Sequence, residues 1–265
     1  MGVRKRSRSD SQRQVQDHPF QIIYPKTIPK PTVKDGRPVR RRVRMQSFPF
    51  TCSGTHSLDL LHSVKPTDTW YNMTSYKSFV LSGVKHKLGD FIFLANEQTI
   101  KRRKVDEDQT PQEDEEWVAR VLEVRASDAN HVYARVHWMY RPEELPPGTL
   151  DGGKKIQGRQ PYHGEKELIM SNHMDIVDVL SVSGPAEVKC WGEEEDKETP
   201  EGLFWRQAFD WRSSRLMSLD RIFMVNTLRC INFRSQSWEQ DLKGTGASID
   251  VFYSFQKYFN NVSNA

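Results

Sequence analysis

Apolar positions along the chain recur with a period of two over short stretches, the spacing of strands with one buried face. Tyr76-Lys-Ser-Phe-Val-Leu-Ser-Gly83 and Gly89-Asp-Phe-Ile-Phe-Leu-Ala-Asn96 predict two strands separated by a turn. Trp117 to Val124 and His131 to Tyr140 predict two more, joined through Ala126-Ser-Asp-Ala-Asn130, with Val132, Ala134 and Val136 on one face. The Pro/Gly-rich residues 142–159 end that hairpin. Glu167-Leu-Ile-Met170, Ile176-Val-Asp-Val-Leu-Ser-Val182, Ala186-Glu-Val-Lys-Cys-Trp191 and Leu203-Phe-Trp-Arg-Gln-Ala-Phe209 follow as further short ordered pieces. Strands of this length and spacing predict a mainly β fold, a compact barrel or curled sheet with long loops.

The polar stretches mark the borders. Residues 1–60 are rich in Ser, Arg, Lys, Gln and Pro and predict a disordered basic tail. It carries Arg4-Lys-Arg6 and Arg37-Pro-Val-Arg-Arg-Arg-Val-Arg44, each readable as a nuclear import signal or as a charged linker. Residues 97–116, with Lys101-Arg-Arg-Lys104 ahead of two acidic runs, predict a long loop. One domain over 70–228 is expected, followed by an extension over 229–265. In the extension, Ile249-Asp-Val-Phe-Tyr-Ser-Phe-Gln-Lys-Tyr-Phe259 carries five rings, docked on the domain or forming a short helix.

Composition sharpens this division. Apolar residues make up 36% of the 265, too few for one large globule, yet seven Trp, eight Tyr and thirteen Phe supply ring area for one sound core. Residues 1–44 hold thirteen Lys/Arg against three Asp, whereas residues 45–265 hold twenty-six basic against thirty-two acidic groups. An acidic body suits a cationic polypeptide, and a basic tail suits nonspecific contact with DNA phosphates; plain solvated charge is the alternative for both. Cys52, Cys190 and Cys230 stand far apart with no C-x-x-C pair, so neither a zinc site nor a disulfide framework is expected. With no apolar run of membrane-spanning length and no apolar N-terminal stretch, a soluble, intracellular protein without membrane contact is expected.

The candidate chemistry lies in three aromatic rings and the polar residues after them. Trp117 opens its strand directly behind an acidic loop, a rim position. Trp138 and Tyr140 leave one face of their strand, the face of Val132, Ala134 and Val136, so plain alternation buries both unless the strand emerges from the core or a bulge re-aims it. Trp and Tyr faces attract a methylated ammonium at roughly 0.5–2 kcal/mol each. Asn172, His173 and Asp175 read as a polar turn able to offer a donor, an imidazole and an acceptor to a peptide, or, for Asp175, simply to cap that turn. Glu143 and Glu144, beside Pro142, read as partners for a basic peptide side chain or as plain surface acids. No nucleophile elbow, phosphate loop, H-E-x-x-H helix or Cys-His pair occurs, so no enzyme, metal or cofactor is expected.

The succession Gly89-Asp-Phe91, Val118-Ala-Arg120, Trp138-Met-Tyr-Arg-Pro-Glu-Glu144, Tyr162-His-Gly164, Lys166-Glu-Leu168 and His173-Met-Asp175 resembles the BAH (bromo-adjacent homology) domain over about residues 70–228. It is most similar to the group in plants and filamentous fungi that reads the Polycomb mark. The resemblance implies a BAH-type β-barrel with long loops and short helices, and a cage for trimethyl-lysine at Trp117, Trp138 and Tyr140. It implies histone-peptide contacts at His173 and Asp175, beside which Asn172 and Glu143 are the further candidates. It also implies a nuclear reader of a histone-three tail on the nucleosome, acting in a repressive chromatin complex and in gene silencing. Plant members tend to have Tyr where Trp117 stands. Close relatives often add a zinc-binding PHD finger, for which Cys230 has no companion ligands. The alternative is a chromatin scaffold using the domain for protein or nucleosome contacts, with its cage unused; an enzyme ranks third.

Overall fold

In a computed structural model of the chain, residues 19–27, 33–34, 37–38, 43–49, 57–96, 116–192, 200–218 and 248–251 are described. Among them the strands are β1 (Gln21–Ile23), β2 (Val33–Lys34), β3 (Arg37–Pro38), β4 (Arg44–Gln46) and β5 (Leu60–Lys65). After a short helix α1 (Thr67–Asn72) come β6 (Thr74–Tyr76), β7 (Ser78–Leu81), β8 (Val84–Lys87), β9 (Phe91–Leu94), β10 (Trp117–Asp128) and β11 (His131–Tyr140). Then follow β12 (Thr149–Asp151), β13 (Lys154–Ile156), β14 (Glu167–Asp178), β15 (Val182–Ala186), β16 (Val188–Cys190), β17 (Leu203–Asp210), β18 (Arg215–Ser218) and β19 (Ser248–Val251). The protein is mainly β, as its patterning predicts.

The large sheet runs β13-β12-β18-β17-β14-β11-β10-β9-β15, and its centre is the trio β10, β11 and β14. On β11 the even positions Val132, Ala134, Val136, Trp138 and Tyr140 enter a core shared with Phe79, Leu94, Phe209, Leu216 and Ile249. Leu94 on β9 and Leu216 on β18 lie far apart in the sheet order, and Phe79 and Ile249 come from the separate sheet β19-β7-β8, so the large sheet curls around one apolar interior.

The odd positions of β11 from Tyr133 to Met139 are buried as well, because an N-terminal arm covers the opposite face. Strands β1, β5 and β4 form a separate three-stranded sheet. Phe20 packs edge-on to Trp70 and Tyr133, at 5.2 and 5.0 Å between ring centroids. Phe48 lies 5.7 Å from the ring of His137 and shares a cluster with Leu58 and Met139. The expected disordered tail over 1–60 therefore does not hold for these residues. Phe20-Gln-Ile-Ile-Tyr24, Phe48 and Leu58 are apolar enough to bury the face that Tyr133, Arg135, His137 and Met139 present, so the domain begins well before residue 70. Arg4-Lys-Arg6 and Lys101-Arg-Arg-Lys104 lie outside the described residues.

Covering that face forces charge into the interior. A bulge between Val121 and Glu123 brings Glu123 opposite Arg135, where its carboxylate accepts from Arg125 Nε at 2.6 Å and Arg135 Nε at 3.0 Å. Arg135 also donates to Gln46 Oε1 of the arm at 2.7 Å, and Arg125 to the carbonyl of Met73 at 3.0 Å. Burial pushes the Glu123 carboxyl up, but Arg135 and Arg125 overcome this and hold it at about 2.

Two further expectations change. Residues 171–175 are not a turn between strands but the middle of the twelve-residue strand β14. The extension after 228, by contrast, docks on the domain through residues 248–251, one of the two fates expected for that segment. Strand β19 pairs in parallel with β7, and Ile249 and Val251 enter the core; the five rings, apart from this strand, lie outside the described residues. The β10–β11 turn is shorter than expected, only Ala129-Asn130.

Acid should weaken the arm's hold. Burial, with Arg135 adding to it, lowers His62 from 6.5 to about 3, and burial lowers His137 well below 6.5. Neither ring nitrogen of His137 has a hydrogen-bond partner. Both rings are neutral in the fold but take up protons when unfolded, so stability is full above pH 6.5 and falls as pH drops toward 3. Denaturation series between pH 7 and 4 should show that slope, and His137→Leu should flatten it without loss at pH 7. Glu123→Gln should cost about 3–5 kcal/mol at pH 7, since it strands two buried guanidinium groups.

Candidate functional site

The motif residues around the three rings mostly build the frame. Gly89 has φ +92°, a backbone that favours glycine, and its N–H donates to the carbonyl of Val121 at 2.8 Å while its own carbonyl accepts from Arg120 Nε at 3.1 Å. In Arg141-Pro-Glu-Glu144, Pro142 opens a 3-10 turn, the Glu144 N–H donates to the Arg141 carbonyl at 2.9 Å and the Glu144 carboxylate accepts from the Arg141 N–H at 2.7 Å. Glu143 is ion-paired with Arg159, whose guanidinium also donates to the carbonyls of Gly164 and Glu165.

His163 is buried and satisfied on both sides. Its Nδ1 accepts from the Gln160 N–H at 3.0 Å, which leaves Nε2 to donate to Gln207 Oε1 at 3.0 Å. Glu167 accepts from the Gly164 N–H at 2.8 Å and from Arg206 Nε at 3.0 Å. A Cβ on Gly164 would stand 2.8 Å from Phe204 Cζ. These contacts fasten the excursion between β11 and β14, so that the end of β11 and the start of β14 meet in one register.

That register contains the feature around which the site forms. Met170 pairs with Met139 and Met174 with His137, so Ser171, Asn172 and His173 together stand opposite Trp138 alone. The Ser171 hydroxyl bridges the gap, donating to the Trp138 carbonyl at 2.7 Å and accepting from the His173 N–H at 3.2 Å. A bulge beside Trp138 is what re-aiming needs, but it lies on β14 and not on the strand that bears the rings.

The structure sets Trp117 against Trp138 and Tyr140 against His173, with Trp138 and Tyr140 in the same apolar cluster on one face of β11. Trp117 meets Trp138 edge-on at 5.6 Å and 76°. The Tyr140 hydroxyl lies 2.8 Å from His173 Nδ1, and its ring meets Phe209 edge-on at 5.4 Å. Alternation dominates the exposure: Trp138 is 2% and Tyr140 5% exposed, with Trp117 half-buried at the rim. Asp175, half-buried, accepts from the N–H of Ile176 at 2.9 Å.

Asn172 has a structural role in this geometry. Its Nδ2 donates to the Leu58 carbonyl at 3.2 Å and to Asp210 Oδ1 at 3.0 Å, and its Oδ1 accepts from the Trp211 N–H at 3.0 Å. It joins the arm, β14 and the turn between β17 and β18. Two rings near His173 were not singled out by the sequence. Trp211, 36% exposed, stacks on His173 at 4.5 Å and 4°, and Tyr24 lies 5.3 Å from Trp211. The apolar run Phe20-Gln-Ile-Ile-Tyr24 inside a polar tail was the available sign of the second; for Trp211 the signal was its place directly after a strand, in an Asp-Trp-Arg-Ser-Ser turn.

Among the described residues no group of three or more metal-ligating side chains occurs, and no helix is long and apolar enough to cross a membrane.

No family model matches the chain. It is similar to the chromatin remodeling protein EBS of Arabidopsis thaliana, 35% identical over 68 residues, covering 26% of this chain and 25% of the relative. It is also similar to the chromatin remodeling protein SHL of the same plant, 38% identical over 74 residues, covering 27% and 28%. The chain thus matches about a quarter of the length of these curated relatives. Among solved structures, the yeast Rsc2 BAH domain aligns at 15% identity with TM-score 0.36, over 56% of this chain and 55% of that one. The architecture is that of a mainly β domain whose central strands are covered on both faces. By the motif succession and the match to the two plant relatives, the chain is similar to the BAH-domain proteins.

Asn172→Ala should lower stability by about 1–3 kcal/mol, because it leaves the Trp211 N–H and the Leu58 carbonyl without their partner. A denaturant midpoint unchanged from wild type would show that Asn172 is not a structural tie.

Proposed function

We propose that the domain is a chromatin reader that holds a trimethyl-lysine of a histone tail against Trp117, Trp138 and Tyr140, with His173 and Asp175 fixing the flanking peptide. The mark read is the Polycomb mark on histone three, the place of action the nucleus, and the outcome transcriptional repression. The chromatin remodeling names of the plant relatives support the setting. The observation that carries the chemistry is the pairing, beside the β14 bulge, of Trp117 with Trp138 edge-on at 5.6 Å and of the Tyr140 hydroxyl with His173 Nδ1 at 2.8 Å. Where Nδ1 accepts that hydrogen bond, the imidazole is neutral and its proton sits on Nε2, a donor for a peptide carbonyl. Ring faces attract the methylated ammonium through their quadrupole, and methylation reduces the hydration that opposes transfer from water. Nothing in this reading requires catalysis.

The low exposure of Trp138 and Tyr140 shapes the mechanism. A lysine reaching their faces enters beside Trp117, the half-buried ring at the strand start, so recognition includes a local opening at that rim. The same low exposure favours the second reading, a non-catalytic scaffold that contacts protein or nucleosome without using the rings, while its basic N-terminal segment contacts DNA.

Calorimetric titration of the full chain with histone-three peptides differing only in lysine methylation separates the two. The reader predicts methyl-dependent binding that changes little with salt and falls at least tenfold, about 1.4 kcal/mol, in Trp117→Ala. Trp138→Ala is the poorer probe, because removing a core indole costs about 3–5 kcal/mol of stability. Equal weak binding to every peptide, or affinity only for nucleosomal DNA with a steep salt dependence, would favour the scaffold.

A further inference from the structure

We propose that Tyr24 is a positioning residue of the candidate site: the N-terminal arm docks on the β14 bulge and sets the His173–Trp211 pair, so that peptide affinity depends on the arm. The ligand in this inference rests on the methyl-lysine reading above; the positioning does not.

Tyr24 closes a two-way hydrogen bond with one residue of the bulged strand. Its hydroxyl donates to the Met174 carbonyl at 3.0 Å and accepts from the Met174 N–H at 3.1 Å. A single phenol thus makes both contacts that a neighbouring strand residue would otherwise make, next to the point where β14 leaves its register with β11. Burial, with Asp175 nearby, pushes the Tyr24 hydroxyl well above its ordinary range and keeps it protonated.

From Met174 the contacts lead in two directions. Along the strand, Met174 lies between His173 and Asp175, the two residues expected to touch a peptide. Across the surface, the Tyr24 ring lies 5.3 Å from Trp211, Trp211 is stacked on His173 at 4.5 Å, and His173 meets the Tyr140 hydroxyl at 2.8 Å. The arm, the exposed indole, the imidazole and the cage phenol form one contiguous series. Stacking at 4° leaves the imidazole one orientation in which Nδ1 faces Tyr140. Asn172 fixes the Trp211 backbone through its N–H, while the Tyr24 ring lies against the indole itself.

The test uses the full chain with Tyr24→Phe, which keeps the ring and removes both Met174 bonds, Tyr24→Ala, which removes the ring as well, and Phe20→Ala, which loosens the arm at Trp70 and Tyr133, away from the bulge. Two quantities are read: the NMR resonances of the His173 ring in the ligand-free protein, shielded by the stacked indole and identified by their loss in His173→Gln, and affinity for a trimethyl-lysine histone-three peptide. Tyr24→Phe should shift the His173 resonances and weaken the peptide about threefold to tenfold, the worth of one or two hydrogen bonds. Tyr24→Ala should do more of both. Phe20→Ala should lower the denaturation midpoint further than Tyr24→Phe while moving His173 less, which separates positioning from general destabilisation. Unchanged His173 resonances in Tyr24→Ala would overturn the proposal, as would an unchanged peptide affinity where the wild type binds. If the wild type binds no peptide at any methylation state, the reader is wrong and the His173 resonances alone decide the positioning, for or against.

Discussion

A buried carboxylate between two guanidinium groups is the constraint around which this domain is arranged. Glu123 reaches Arg135 because a bulge in β10 shifts it there, and Arg135 in turn holds Gln46 of the N-terminal arm. An exposed sheet face would leave these charges in water, where such pairs contribute little. Covered by the arm, they become strongly dependent on one another, and losing Glu123 leaves two uncompensated charges inside. The arm is therefore part of the fold. With both faces of β11 buried, its end can be held still enough to place two large rings.

The bulge on β14 uses that rigidity. Three residues opposite one make room for a histidine to turn toward Tyr140 without breaking the ladder, and Ser171 restores the hydrogen bonds that the irregularity disrupts. The Pro/Gly excursion between the two strands, fastened by Arg159, His163 and Glu167, fixes where the bulge falls. Local frame and candidate chemistry are thus the same set of contacts seen from two sides, which is why so many motif residues near a binding surface turn out to be occupied with one another.

Patterning read the strands well where one face was apolar and the other polar. Val132, Ala134 and Val136 disclosed the core face of β11, and alternation alone implied the burial found for Trp138 and Tyr140. It failed where polar residues are buried, because Arg135 and His137 give no sign in the sequence that an arm lies over them. Ser171-Asn-His-Met-Asp175 has the composition of a turn, yet it is strand, its side chains satisfied by Trp138, Leu58, Asp210 and Tyr140 and the Met174 backbone by Tyr24, from distant parts of the chain. The motif succession carried the resemblance to the BAH domain and brought the rings and His173 to attention together; the contributions of Tyr24 and Trp211 depend on tertiary contacts spanning up to 150 residues, beyond the reach of any local pattern.

The central claim is that recognition takes place where the end of β11 meets the β14 bulge. It is tested most directly by amide NMR mapping of the full chain during titration with a trimethyl-lysine histone-three peptide and its unmethylated counterpart. The account predicts methyl-dependent perturbations centred on Trp117, on Trp138 to Tyr140 and on Ser171 to Asp175, including the indole N–H signals of Trp117 and Trp138. Perturbations confined to the basic N-terminal residues, or the same for both peptides, would contradict it.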